Sequence, residues 1–218
     1  MASPSPLQNR VTPTGDIVVH PSRGLLMGNR GSIHRDDRTL GTTRWRSKMW
    51  ICCVTDWYGV KRDVMPPGRW TALFFMDEAT ALSAGHRPCG YCRHDDHVHF
   101  GEAWAEGQGL AKRLKASEMD VVLHAERVER TRIKKTRPAE IGSLPDGAMV
   151  LHSGRPGLVL AGHVLPWDFY GYGRPEKLAP DTEVELLTPP AIVTVIRAGY
   201  KPIVHPSAGK TSLRSFPA

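Results

Sequence analysis

Phe74-Phe75-Met76-Asp77-Glu78-Ala79-Thr80-Ala81-Leu82-Ser83-Ala84-Gly85-His86-Arg87-Pro88-Cys89-Gly90-Tyr91-Cys92-Arg93 is the stretch on which the reading of this sequence turns. The apolar, aromatic run from Trp70 to Phe75 suits a strand. Asp77 is a helix-capping residue type, Glu78 to Ala84 form a short helix, and Gly85 is the residue that stops one. A tight loop then carries Cys89-Gly90-Tyr91-Cys92. The two-residue spacing lets both thiolates face one metal ion while backbone amides support the sulfurs. Strand, short helix, stop and knuckle together predict an α+β fold organised around a metal site.

Upstream, the first fifty residues are rich in Gly, Arg and Thr and lack helical periodicity. Asp16 to His20 reads as a short strand ended by Pro21, and Gly24, Gly28 and Gly31 divide the next segment into loops and short strands. The bases Arg10, Arg23, Arg30, Arg35, Arg38, Arg44, Arg46 and Lys48 face only Asp16, Asp36 and Asp37 in this N-terminal region. Met49 to Val60 is a β-rich stretch, and Pro66-Pro67-Gly68 is a turn.

Downstream, a helix is expected from about Asp95, with Phe100 and Trp104 on one face and Gly107 and Gly109 interrupting it. Ser117 with Asp120 resembles a capping box opening a further helix through about Arg130. Beyond Pro138 the composition shifts to Pro, Gly and β-branched residues. Ala148–Leu151 and Leu158–Leu165 read as a hairpin, Thr182–Leu187 as a strand, and Pro190 opens a helix over 191–198. We expect a zinc-containing α+β domain over 1–140 and a small β-rich module with a C-terminal helix over 141–218, the boundary being soft enough for one domain. Val-His-Pro-Ser occurs at 19–22 and 204–207 without wider similarity, so no internal repeat is read from it.

The chain has 218 residues, 29 Lys plus Arg against 22 Asp plus Glu, and a formal charge of +7. No stretch approaches the roughly 20 apolar residues of a membrane span, and the first residues lack the pattern of a secretory signal. These features lead us to expect a cytoplasmic protein. The four cysteines, Cys52, Cys53, Cys89 and Cys92, are too few for a disulfide scaffold and favour a metal site. Adjacent strand residues point to opposite faces, so one of Cys52 and Cys53 is expected to join Cys89 and Cys92 on zinc. His86, His94, His97 and His99 crowd around the knuckle as candidates for a fourth ligand.

Residues 58–93 resemble the N-terminal zinc domain of the Ada-type DNA alkylation-repair proteins. That family has a strand, an Ala-rich helix and a Gly-x-Arg-Pro-Cys-x-x-Cys knuckle in this order, with a Tyr-Gly-Val upstream that matches Tyr58-Gly59-Val60. The resemblance implies a zinc-binding fold that touches a DNA backbone. The family's other two cysteines, one of them the methyl acceptor, lie between the Tyr-Gly-Val and the helix. Lys61 to Trp70 contains none, so the repair chemistry does not carry over.

Two catalytic alternatives stand beside this. His124-Ala125-Glu126 and Pro88-Cys89-Gly90-Tyr91-Cys92 are the two halves of the zinc nucleobase-deaminase signature, in reversed order. His94, Asp95, Asp96, His97 and His99 beside the knuckle suit a treble-clef-like nuclease, where a metal needs an open position and a base near water. Equally, the two acids suit the first turn of a helix. The loop Pro166 to Gly173 is aromatic and glycine-broken, fit to line a pocket or to cover a sheet edge. No Walker-type loop or Gly-x-Gly-x-x-Gly is present, so nucleotide-dependent motor and dinucleotide chemistry is unsupported.

Nucleic acid is the partner class that the charge pattern favours. Arg44-Trp45-Arg46-Ser47-Lys48-Met49-Trp50 alternates cations, which neutralise phosphates, with tryptophans, which stack on bases. A second run, Arg127, Arg130, Arg132, Lys134, Lys135 and Arg137, contains only Glu126 and Glu129 as acids. The expected function is zinc-stabilised binding of DNA through these two stretches, with a zinc-dependent hydrolase as the alternative.

Overall fold

The computed structural model describes residues 6–59, 63–129, 131–209 and 213–216. Its architecture is α+β. Five short strands precede the first helix: β1 (Gln8–Val11), β2 (Ile17–Val19), β3 (Leu26–Asn29), β4 (Ile51–Val54) and β5 (Leu73–Phe75). The helix α1 (Glu78–Ser83) and the two-residue strand β6 (Arg87–Pro88) come after them, and the six strands form one sheet in the order β2-β1-β5-β3-β4-β6. As its sequence predicts, α1 is capped by Asp77, whose side chain accepts from the Thr80 N–H at 2.9 Å.

Two longer helices come next, α2 (His94–Gly107) and α3 (Ala116–Arg127). The expected α3 boundaries are corrected at both ends. Its N-cap is Lys115, whose N–H donates to Glu118 Oε2 at 2.6 Å, so the box uses Glu118 and not the Ser117–Asp120 pair. The helix stops at Arg127 because Val128 turns extended and bridges back to Lys134. The run expected as a helix end is therefore a tight return of the chain.

The C-terminal sheet contains β7 (Arg137–Glu140), β8 (Met149–His152), β9 (Arg155–Leu160), β10 (His163–Asp168), β11 (Gly171–Tyr172), β12 (Glu176–Lys177) and β13 (Glu183–Leu186). Its order is β11-β10-β9-β8-β13-β7, with β12 on β10. The expected strand over 158–165 is two strands. Ala161 and Gly162 both have positive φ, the geometry of a two-residue hairpin turn, as do Ser153 and Gly154 one hairpin earlier. The aromatic loop covers α1: Trp167 Nε1 donates to Thr80 Oγ1 at 3.0 Å, and Tyr172 Oη to Asp77 Oδ2 at 2.6 Å. The chain ends with α4 (Pro190–Arg197) and the parallel pair β14 (Ile203–Val204) and β15 (Arg214–Ser215). Both Val-His-Pro-Ser copies make one local turn, the serine N–H donating to the histidine Nδ1 at 3.2 Å.

Residue 140 falls at the end of β7, but the apolar packing runs across it. Phe100, Trp104, Met119 and Leu123 of α2 and α3 share a core with Ile192, Val195 and Ile196 of α4. Met76 and Ala79 pack against Met149, Leu158 and Leu187. A buried polar hub also ties the two parts: Glu78 accepts from Arg93, from Tyr200 Oη and from the Ile203 N–H. No described helix is long and apolar enough to cross a membrane.

Candidate metal centre and anion pocket

The parallel register of β4 and β6 builds the cysteine cluster. Cys52 pairs with Pro88, and the Cys89 N–H donates to the Cys52 carbonyl at 2.9 Å, which sets Cys53 beside Cys89. The sulfurs of Cys53, Cys89 and Cys92 lie within 4.8 Å of one another, all buried, and form the only such group of possible metal ligands among the described residues. The Tyr91 N–H donates to Cys89 Sγ at 3.4 Å, the amide support expected of a knuckle. Hydrogen bonds from Cys53 and Cys92 hold the Cys89 thiol far below its ordinary range, while those same bonds, with burial, push Cys53 far above it. Three converging sulfurs are an arrangement that suits a thiophilic cation, and the separation is compatible with metal–sulfur bonds of about 2.3 Å.

Cys52 does not join the cluster. The strand pleat turns it to the opposite face, where it packs in the core of the first sheet, 3.6 Å from Arg93 Nη1. Of the four nearby histidines, two touch the knuckle at Gly90: His94 Nδ1 lies 3.3 Å from its carbonyl, and the His97 ring packs against its Cα. A side chain at Gly90 would put its Cβ 3.2 Å from the imidazole, and His97 Nδ1 is buried without a hydrogen-bond partner. His94 is exposed at the start of α2, and His99 is exposed beside Tyr200. His86 points elsewhere, its Nε2 accepting from Arg30 Nε at 3.0 Å and its Nδ1 lying 3.1 Å from the Ile51 carbonyl.

The second site is a cavity of about 340 Å³ on the far side of β4 and α1. Arg30, Arg44, Arg127, Arg132 and Lys134 line it, with Asp16 as its one acid and Trp45 and Trp50 as its aromatic walls. Trp50, 1% exposed, has two guanidiniums against its ring, Arg30 at 4.0 Å and Arg127 at 3.8 Å from the centroid. Gly85, at φ +87°, makes room for Arg127: a Cβ there would come within 2.5 Å of the Arg127 side chain. The return of the chain after α3 brings Arg132 and Lys134 over the same cavity.

The electrostatics are unusual. Among the described residues none of these five cations makes an ion pair. Backbone carbonyls hold them instead: Gly15 for Arg30, Gly41 for Arg44, Gly85 and Lys48 for Arg127, Thr42 for Arg132 and Ser83 for Lys134. Arg30 Nη2 and Arg127 Nε are buried with no acceptor among the described residues. Burial, then the proximity of Arg30 and Arg127, lowers Lys134 to about 7; burial first and neighbouring cations after it lower Arg127 to about 8 and Arg30 to about 9. A buried charge without a partner costs several kcal/mol. A bound anion would repay that cost, supplying the missing acceptors and countercharge together.

The sequence-derived candidates thus divide. Arg44, Trp45, Arg132 and Lys134 come together in the pocket. Arg46 and Lys48 are exposed on the same loop, and the Lys48 carbonyl holds Arg127. Lys135 turns away, its Nζ donating to the Ala125 carbonyl at 2.8 Å, and Arg130 lies outside the described residues. His124 stands edge-on to Trp45 at 5.4 Å, and burial, with Arg127 and Lys48 behind it, lowers its pKa to about 4. Glu126 caps α4, its Oε2 accepting from the Ala191 N–H at 2.9 Å. Asp96 is paired with Arg93 and Arg214. Trp50, part of the cation–tryptophan stretch read from the sequence, also lines the pocket, whereas Arg30 carries no local signal that sets it apart from the other bases of the first fifty residues. No family model, curated protein or solved structure matches this chain.

Proposed function

We propose that the protein binds nucleic acid, DNA in the first instance, through the cationic pocket and the basic loops around it, with zinc at Cys53, Cys89 and Cys92 holding the fold. The reading is carried by one observation: five cations converge on a cavity with a single acid and no ion pair among the described residues. Phosphate is the commonest partner that supplies such a site with both charge and acceptors. Trp45 adds a face on which a base stacks. The likeness of residues 58–93 to the Ada-type zinc domain supports the metal half, although the third sulfur here comes from β4, upstream of the Tyr-Gly-Val.

Zinc, when bound, would cross-link β4 to the knuckle through Cys53, Cys89 and Cys92. The hydrolase reading asks for a free base beside the metal. Glu126 and Asp96 are already engaged by a helix end and by two arginines, which favours binding over hydrolysis.

The test is fluorescence anisotropy with a labelled 20-nucleotide DNA over a salt series. Three to five phosphate contacts predict a fall in affinity of roughly tens- to several-hundredfold between 50 and 200 mM salt. An affinity that does not change over that range contradicts phosphate contact and sinks the proposal.

A further inference from the structure

The pocket has a property that a backbone-tracking groove lacks. Its deepest cations, Arg30 and Arg127, are 2% and 1% exposed and lie against Trp50, and each buries an N–H group that has no partner among the described residues. A phosphodiester within a strand is flanked by sugars on both sides and carries one charge. It reaches exposed cations such as Arg46 and Lys48 but cannot enter a cavity of about 340 Å³ without carrying both flanks along. A phosphomonoester at a strand end is attached on one side only. It carries about 1.5 to 2 negative charges near neutral pH and three acceptor oxygens, which matches two buried unpartnered donors and a Lys134 ammonium.

We propose that the Arg30–Trp50–Arg127 pocket receives the terminal phosphomonoester of a nucleic-acid strand, with the adjoining base against Trp45. Arg30 and Arg127, both against the Trp50 ring, donate to the phosphate oxygens. Lys134 closes the site from the return after α3, and Arg44 and Arg132 hold the next phosphate at the rim. The supporting groups are already in place: His86 fixes Arg30 through Nε, and Gly85 with the Lys48 carbonyl fixes Arg127. The inference rests on the nucleic-acid reading, and it assigns that reading a polarity, from the buried end outward.

The experiment compares unlabelled competitors against a labelled 12-nucleotide DNA: the same sequence with a 5′-phosphate, with a 3′-phosphate and with hydroxyls at both ends, and the corresponding nucleoside monophosphate. One phosphorylated end is expected to compete about tenfold or more better than the hydroxyl-ended strand, the worth of one charge-assisted contact set. Lys134→Gln, at a half-buried position, should weaken the phosphorylated strand about tenfold more than the hydroxyl-ended strand and so erase that preference. Circular dichroism of the variant checks that the fold is kept, and Arg44→Gln, at the rim, should weaken every strand alike. Equal competition by phosphorylated and hydroxyl ends overturns the end-binding inference and leaves nucleic-acid binding standing. A nucleoside monophosphate that competes as well as the phosphorylated strand overturns the strand end as the source. Failure of every strand to bind overturns both readings.

Discussion

Cys52 and Cys53 share a chemistry and a strand, and the pleat alone separates their roles. In a parallel pair the register fixes which residue of one strand stands beside which of the other, and with Cys52 opposite Pro88 it is Cys53 that meets Cys89. Cys53→Ser should therefore lower the zinc content per chain and its resistance to a chelator, because a hydroxyl replaces a thiolate ligand. Cys52→Ala should keep about one zinc per chain, its cost being confined to core packing. Atomic emission on the purified variants checks this, and equal zinc loss in both would remove the distinction. The sequence makes Cys89 and Cys92 legible by spacing alone. It cannot choose between Cys52 and Cys53, since alternation says that the two face opposite ways but not which way the metal lies. Arg30 is less legible still: it becomes special only when His86, 56 residues away, and Trp50 are brought against it.

Helices α3 and α4 show how a residue with a catalytic look can do an element's work. The first N–H groups of a helix have no partner within it. At α4, Pro190 removes one of them and Glu126, reaching over from α3, accepts from the next, Ala191. Local motif reading finds His-Ala-Glu here and suggests deamination; the tertiary contact is invisible until α4 docks on α3. Loss of such a cap costs about 1 kcal/mol, and a chain of this size shifts by roughly 2–4 °C for each kcal/mol. Glu126→Ala should thus lower the melting temperature by a few degrees and leave DNA affinity close to wild type. A variant with unchanged melting that loses DNA binding would move Glu126 into the site. The α3 terminus makes the same point in reverse. Composition favours a helix through Arg130, yet extended Val128, bridged to Lys134, turns the chain back and delivers Arg132 and Lys134 to the pocket.

At the scale of the whole molecule, seven surplus positive charges matter less than where they are left uncompensated. The other buried cations are neutralised: Arg87 by Asp120, and Arg93 by Glu78 and Asp96. Among the described residues the pocket cations have no such partner, and this has a measurable consequence. Lys134 is lowered to about 7 in the folded chain, below its unfolded value of about 10.5. Above pH 7 the unfolded state therefore binds more protons than the folded one, and stability rises with pH. The rise continues to about pH 8.5, above which unfolded cysteine thiols ionise; Cys52, held protonated by burial in the fold, then works in the opposite direction. A zinc-loaded sample in low-salt buffer should melt at a higher temperature at pH 8.5 than at pH 7. An anion in the pocket favours the charged forms and removes the pocket's share of the gain, so inorganic phosphate should stabilise the protein more at pH 7 than at pH 8.5; the share due to zinc-bound thiolates, which are protonated in the unfolded chain, stays. Thermal melts at the two pH values, with and without phosphate, measure all four corners. A flat profile without phosphate, or equal stabilisation at both pH values, would mean that the five cations carry no uncompensated charge for a ligand to neutralise.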